Sequence, residues 1–483
     1  MATRVRTSPV SLADRSLRDA FAVILFRRPG RPISTGWLKG DRELLRHPAQ
    51  YIVVTFLSAT LVGTALLMLP LATRGPRGAP LMTALFTSTS ATCVTGLAVV
   101  DTPGYWSGFG QVVIAGLIQV GGLGIMTLTS LLMIMLSRKF GIRQRLIAAA
   151  QTGAPRLGDV RSLLIAVVKM TFGVEAVVAL VLLLRFWLAH DEALPRASAL
   201  AVFHAVSAFN NAGFALFSDN LIGYRTDSVI LITIALAIVA GGLGFPVWRQ
   251  LAARPRQPRH WDVHTKVTVL TTVLLIAAGW ALYSWFEWTN PATLGSLSAK
   301  DSAVNGFFQS VTTRTAGFNA MDIAGLRDTS HLLTMILMFI GGGSGSTAGG
   351  IKVTTFALLG WVMWAEVRGE RDVDVFRRRI PTDVQRQALT VALMAVGGVV
   401  GASMLLMALT PFHLADVVFE SVSALGTVGL STGITPSLSA PGQFVVTALM
   451  FAGRVGPPTV FAALVLRERQ RLFRHPEERI IIG

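Results

Sequence analysis

The sequence predicts an all-α integral membrane protein: four parallel helix–half-helix–helix repeats around a pseudo-fourfold pore, with eight transmembrane helices and four re-entrant pore loops. Three observations predict it: composition, the alternation of apolar spans with charge clusters, and a glycine-centred string that occurs four times. Of 483 residues, 52% are hydrophobic and 14% charged, against about 25% charged in ordinary soluble chains. The mean hydropathy of +0.58 excludes a disordered chain and argues against a soluble one. The net charge of +17 sits in clusters between apolar runs, which points to a membrane surface and away from nucleic acid. The single cysteine, Cys93, has no intrachain partner and no metal-ligand spacing around it. No cleavable signal peptide is expected, because the first 47 residues carry ten Lys/Arg and no apolar stretch longer than Ala20–Phe26.

A basic cytosolic tail is expected over 1–47. Repeat 1 spans 48–140, repeat 2 160–250, repeat 3 262–366 and repeat 4 384–470, with a cytosolic C-terminal tail at 471–483. A bilayer-crossing helix needs about 20 mostly apolar residues. The stretches 48–70, 109–137, 162–189, 227–248, 264–288, 331–364, 386–410 and 443–466 qualify. Inside each pair lies a shorter, Ser/Thr-rich segment, such as those from Pro80 and from His413. These are too short and polar to cross alone, so they re-enter, lined by protein or water. Lys/Arg in alternate segments total 32 on one side and 7 on the other, which puts both termini in the cytoplasm.

The repeat is anchored by Gly96, Gly213, Gly317 and Gly429. Ten residues before each lies Phe86, Phe203, Phe307 or Phe419, and directly after each comes Leu97, Phe214, Phe318 or Leu430. Further on, four glycine strings align: GGLG from Gly121, GGLG from Gly241, GGSG from Gly342 and GRVG from Gly453. An even number of crossings separates the units, so they are parallel and imply an axis along the membrane normal. Each half-helix then aims its partly negative C-terminal end at the membrane centre, which favours a cation there. A glycine after the half-helix lets main-chain carbonyls face the axis, and four such strands form a ring able to replace an ion's hydration shell. The carbonyl donors are expected at Val94 and Thr95, Asn211 and Ala212, Thr315 and Ala316, and Thr427 and Val428. Their side chains differ widely, as they can if main-chain oxygen does the work.

The four-repeat plan, the strings CVTGL, NNAGF, RTAGF and GTVGL, and GGGSGSTAGGIKVTT in the third inner helix resemble the Ktr/Trk/HKT superfamily of potassium transporters. The resemblance covers about residues 48–483, and the ion-translocating KtrB branch fits it best, since no extra helix pair precedes the first repeat. It implies potassium uptake across the cell membrane, often sodium-stimulated, with no covalent cofactor. It also implies a homodimer with one pore per protomer, docked on a cytosolic KtrA-like nucleotide-binding regulatory ring. Each repeat keeps a single glycine where a tetrameric potassium channel has a longer string, which implies fewer ordered carbonyl layers.

The gate is expected in the third inner helix, at Gly341, Gly342, Gly343, Ser344, Gly345, Ser346, Thr347, Ala348, Gly349 and Gly350. Glycine costs a helix about 1 kcal/mol relative to alanine, so this run unwinds. Unwound backbone at membrane depth must be buried or line a cavity; in the resembling family this segment is the intramembrane gating loop. Arg454 replaces the second glycine of the fourth string. An arginine in a span faces the interior, and its expected partners are carbonyls of this loop. Arg314, before the third filter strand, is expected to point away from the axis. Gln119 is a candidate pore-facing residue, and Glu420, in the fourth half-helix, is read either as raising the local cation concentration or as a brace for the filter. Lys352 is read as a loop anchor or a side chain reaching water, and Glu175 and Lys169 as residues each pairing with another helix or an interfacial group. A TrkH-like subunit and an ion-coupled transporter of another solute are the alternatives. Parallel repeats argue against the latter, since such folds use inverted ones. The scattered histidines, without a catalytic motif, argue against an enzyme.

Overall fold

The computed structural model describes residues 48–137 and 159–456. The expected tails 1–47 and 471–483, and the last part of the eighth span from residue 457, lie outside the described residues. Four helix sets follow one another along the chain. The first is α1 (Pro48–Leu67), α2 (Leu81–Thr92) and α3 (Gly108–Ser137). The second is α4 (Asp159–Ala189), α5 (Leu194–Phe209), α6 (Ser228–Leu243) and α7 (Phe245–Ala253). The third is α8 (Val263–Glu287), α9 (Ala299–Thr312), α10 (Asp328–Phe339) and α11 (Val353–Val367), and the fourth is α12 (Thr382–Leu409), α13 (Leu414–Gly426) and α14 (Ala440–Val455).

Among the described residues, four helices contain a stretch long and apolar enough to cross a bilayer: α3, α4, α8 and α12. The α6–α7 pair is bent by 98°. The short helices α2, α5, α9 and α13 are buried toward their C-terminal ends. α2, α5 and α13 each pack between two helices of their own set, whereas α9 packs between α8 of its own set and α6 of the set before. Polar side chains fix two of them: Ser88 Oγ donates to Thr60 O on α1 at 2.7 Å, and Ser310 Oγ to Ile276 O on α8 at 2.8 Å. In a membrane, where apolar burial between helices is weak, such bonds and small residues supply the attachment. Each set also reaches the next: α3 packs on α5, α6 on α9, α10 on α13 and α14 on α2. The chain of contacts closes on itself. Leu61, Leu188, Leu236 and Val400 point outward, exposed, as side chains facing lipid do.

Helix starts are set by local chemistry. Asp227 caps α6 by accepting from Val229 N and Ile230 N, Asp262 caps α8 by accepting from Thr265 N, and Ser298 caps α9 by accepting from Asp301 N. Outside the spans, Asp374–Val375 (β1) pairs antiparallel with Arg378–Arg379 (β2). Phe376 and Arg377 between them have φ of 49° and 62°, the two-residue turn favoured in hairpins. Val375 buries against Val267 and Ala365; the sequence pattern gave no sign of this hairpin.

Two spans differ from expectation. The stretch 227–248 is not one helix, because it turns at Gly244, whose φ is 91°. The 443–466 stretch ends its described helix at Val455, where Gly456 has φ 92°. Arg454 is thus one residue from the end of that helix. The stretch 331–364 breaks, as expected, and the break runs from Ile340 to Lys352.

Candidate functional site: a four-stranded carbonyl ring over a buried loop

After each short helix the chain makes the same turn. Two residues before each glycine stand Val94, Asn211, Thr315 and Thr427, with φ of 56°, 60°, 64° and 48°. The glycines follow at 97°, 70°, 76° and 97°. Left-handed backbone costs a non-glycine residue about 1–2 kcal/mol, and three of these four are β-branched, for which it is a true outlier. The sequence pointed to the glycines; it gave no signal for the strained position upstream, because Val and Thr argue against that conformation.

The four glycines close a ring. A Cβ placed on Gly96 would lie 2.5 Å from Ala212 O, and one on Gly213 2.7 Å from Ala316 O. One on Gly317 would meet Val428 O, and one on Gly429 would meet Thr95 O. Every glycine thus lies against the carbonyl that precedes the next glycine, in the cycle one–two–three–four–one. The strands are held from behind by hydroxyls. Gly96 N donates to Ser90 Oγ and Gly429 N to Ser423 Oγ, both at 3.1 Å. Ser207 Oγ donates to Phe214 O at 2.7 Å and Thr312 Oγ1 to Phe318 O at 2.6 Å. The glycine side of the ring opens into a vestibule of about 640 Å³ lined also by Asp101, Asp219, Asp322 and Ser431, with no basic side chain on its wall.

The other side of the ring is covered by the segment from Gly341 to Gly350. It has no helix, and nearly all of it is buried. Ile340 and Ile351 pair in a parallel bridge at its neck. Its backbone is satisfied by its neighbours: Gly343 N donates to Gly242 O at 2.8 Å, Thr347 N to Gly241 O at 3.2 Å and Phe245 N to Gly345 O at 3.2 Å. The bend of α6 into α7 therefore wraps the loop, and at Gly244 a Cβ would lie 2.8 Å from Ser344 O. Ser346 Oγ closes a turn within the loop on Gly343 O at 2.6 Å.

Three cations end on loop carbonyls. Arg454 Nη1 donates to Thr347 O, and its Nη2 donates to Gly121 O of α3 at 3.0 Å. Lys352 Nζ donates to Ala348 O at 2.5 Å, which makes it a loop anchor. Arg314 Nη2 donates to Gly341 O at 2.7 Å. Its head lies away from the carbonyl ring and on the loop.

The remaining candidates sit behind the ring. Gln119 does not face the pore: its Nε2 donates to Glu175 Oε2 at 3.3 Å, and its Oε1 accepts from Asn210 Nδ2 at 3.0 Å. Asn210 Nδ2 also reaches Glu175 Oε1 at 3.0 Å. Polar groups on α3 and α4 thus find their partners at the end of α5. Glu420 is fully buried and accepts from Ser431 Oγ at 2.8 Å and Thr435 Oγ1 at 2.5 Å, joining α13 to the segment after the fourth strand. Lys169 is exposed. Among the described residues no His/Cys/Asp/Glu cluster could hold a metal ion.

A model of TrkH, described as a cation transport protein, matches residues 37–474. The chain belongs to the TrkH cation transport family. It is a multi-pass membrane protein and not an enzyme. It is 37% identical to the Ktr system potassium uptake protein B of Bacillus subtilis over 90% of this chain and 97% of that one. It is 36% identical to the protein of that description from Vibrio alginolyticus, over 89% of this chain and 94% of the other. It is also 36% identical to the potassium/sodium uptake protein NtpJ of Enterococcus hirae, over 90% and 97%. In structure it resembles the crystallised potassium transporter TrkH of Vibrio parahaemolyticus with a TM-score of 0.71, over 94% of this chain and 96% of that one, at 18% identity. That likeness establishes the TrkH fold.

Proposed function

We propose that this chain takes up potassium across the cytoplasmic membrane, through the carbonyl ring and past the loop. The observation that carries the reading is the closed cycle in which Gly96, Gly213, Gly317 and Gly429 each lie against the carbonyl of the next strand. The ions meet main-chain oxygens of Val94, Thr95, Asn211, Ala212, Thr315, Ala316, Thr427 and Val428, together with the four glycines. Oxygens held in place by strained backbone exchange for water without reorganising. The acidic vestibule raises the local concentration of cations before they dehydrate. The names carried by the relatives from Bacillus subtilis and Vibrio alginolyticus support potassium as the substrate. The name of the Enterococcus hirae relative supports sodium as a second cation.

Residues 341–350 are the gate in this reading, and Arg454 is its tether and a positive charge beneath the ring. Both termini are cytoplasmic. The working form is a homodimer on a KtrA-like nucleotide-binding ring, in keeping with relatives named as parts of a Ktr system. Flux of potassium, rubidium and sodium into liposomes holding the purified protein is the test. Potassium and rubidium are expected to enter well ahead of sodium. Equal entry of all three, or entry of none with an organic solute carried instead, overturns the reading.

A further inference from the structure

We propose that the loop is also part of the filter: Thr347 and Gly349 hold the second and third strands in their left-handed turns, so cation discrimination is tight with the loop in place and relaxes when it leaves. This rests on reading the ring as the cation filter. Strained residues persist only where their surroundings hold them, and the four left-handed positions differ in what holds them.

Val94 packs beside Gly121 of α3, where a Cβ would lie 3.0 Å from its Cγ2. The other three meet the loop. The Asn211 amide finds partners with its nitrogen toward Phe209 O, Thr347 Oγ1 and Ile238 O, at 3.2, 3.0 and 3.3 Å. In that orientation Thr347 Oγ1 accepts from Asn211 and donates its own proton to Phe209 O at 3.2 Å. The hydroxyl thereby ties the last carbonyl of α5 to the strained residue two places on. Thr315 Oγ1 accepts from Gly349 N at 3.3 Å. A Cβ on Gly349 would meet Thr427 Oγ1 and come within 2.8 Å of Gly426 O, so the loop backbone lies directly against the fourth strand. Arg314, the residue before Thr315, is itself bonded to Gly341 O.

Withdrawing the loop removes these supports together. Asn211 loses a hydrogen-bond partner, Thr315 loses its donor and Thr427 loses its packing surface. The first strand keeps its packing on α3, and Asn211 keeps Phe209 O and Ile238 O. A ring of fixed carbonyls separates ions by how well it replaces their water, and a ring loosened on three sides adapts to a smaller cation.

Thr347→Val keeps the side-chain shape and removes the hydroxyl; Thr347→Ser keeps the hydroxyl. In liposomes with matched protein, Thr347→Val is expected to lower the potassium-to-sodium flux ratio about five-fold, the scale of one neutral hydrogen bond, while Thr347→Ser holds the wild-type ratio. A second readout needs no flux. In detergent, potassium chloride is expected to raise the melting temperature of the wild type above its value in sodium chloride, and Thr347→Val is expected to narrow that gap. A Thr347→Val protein that carries both ions faster in the same proportion, with the gap unchanged, overturns the proposal and leaves the loop as a plug alone. Gly429→Ser serves as the comparator. If it too leaves the ratio unchanged, the filter reading fails, and the coupling proposed here is not what failed.

Discussion

The two faces of the ring relate sequence to structure in opposite ways. Above, four unlike strings fold into one backbone turn, with matched positive φ at both key positions. Below, four similar glycine strings take four courses. From Gly121 the helix continues; at Gly244 it bends by 98°; at Gly345 there is no helix at all; at Gly456 the described helix ends. The difference lies in what each face is asked to present. A carbonyl ring uses only main chain, so side chains are free to vary while dihedrals are not. A single covering segment needs one repeat to fill the axis and the others to make room, so equivalence is given up there. Gly244 makes room by turning around the loop of the third repeat, and Arg454 makes it by replacing a glycine with a donor that spans the gap.

The sharpest way to break the fourfold side is to put side chains into the ring. Gly429→Ser and Gly96→Ser are each expected to lower potassium preference over sodium by at least about ten-fold, since both a forbidden dihedral and a neighbouring carbonyl oppose a Cβ. Potassium and sodium uptake in a potassium-transport-deficient host measures it. On the asymmetric side, Arg454→Ala or deletion of Gly343–Gly345 is expected to raise potassium flux several-fold, because each removes hydrogen bonds that hold the loop across the axis. The double change is expected to give less than the product, because coupled sites do not sum. Lower flux in both single variants, with normal assembly, means the loop supports conduction.

A milder contrast sets two glycines of the same string against each other. Gly124 is helical and has nothing nearer than Phe56 at 4.0 Å from a new Cβ; Gly124→Ala is expected to be neutral or to stabilise by up to about 1 kcal/mol. Gly244→Ala faces φ 91° and Ser344 O and is expected to destabilise by about 1–2 kcal/mol. Melting temperatures of the purified proteins compare them. The smallest effect lies at Asp227, the cap residue just before the first turn of α6. Burial pushes the Asp227 carboxyl up, but hydrogen bonds from His190, Arg185 and Ile230 N outweigh it and lower its pKa. A lowered carboxylate pKa contributes stability above its unfolded value and loses it as pH falls through the folded one. Asp227→Asn is therefore expected to melt slightly lower at pH 7, by under about 1 kcal/mol, with the gap closing in acid.

How much of this was legible in the sequence follows the same divide. The repeated glycines, the unwound stretch after Ile340 and Arg454 as its partner could be read, because each breaks a helical or apolar rule in plain view. The strain at Val94, Thr315 and Thr427 could not be read, since β-branched residues signal the opposite backbone. The bend at Gly244 was hidden for another reason: its string matches the one at Gly121, and only the loop packed against it makes the two differ. Gln119 looked like a pore residue because a polar group in an apolar helix suggests a channel wall; its partners on α4 and α5 come from elsewhere in the chain. The hairpin at Asp374–Arg379 left no alternation long enough to see.

The order of contact around the ring also bears on how the protein is made. Arg454 and Gly121, joined by one hydrogen bond, are 333 residues apart, and the contact between Gly429 and Thr95 joins the last strand to the first. During synthesis the first three helix sets enter the bilayer with one side of the ring missing. Contacts of such long range form late, so the ring and the Arg454 bond to α3 are completed only with the fourth set. On the filter reading proposed above, a nascent or truncated chain lacks a closed carbonyl ring until the fourth set docks.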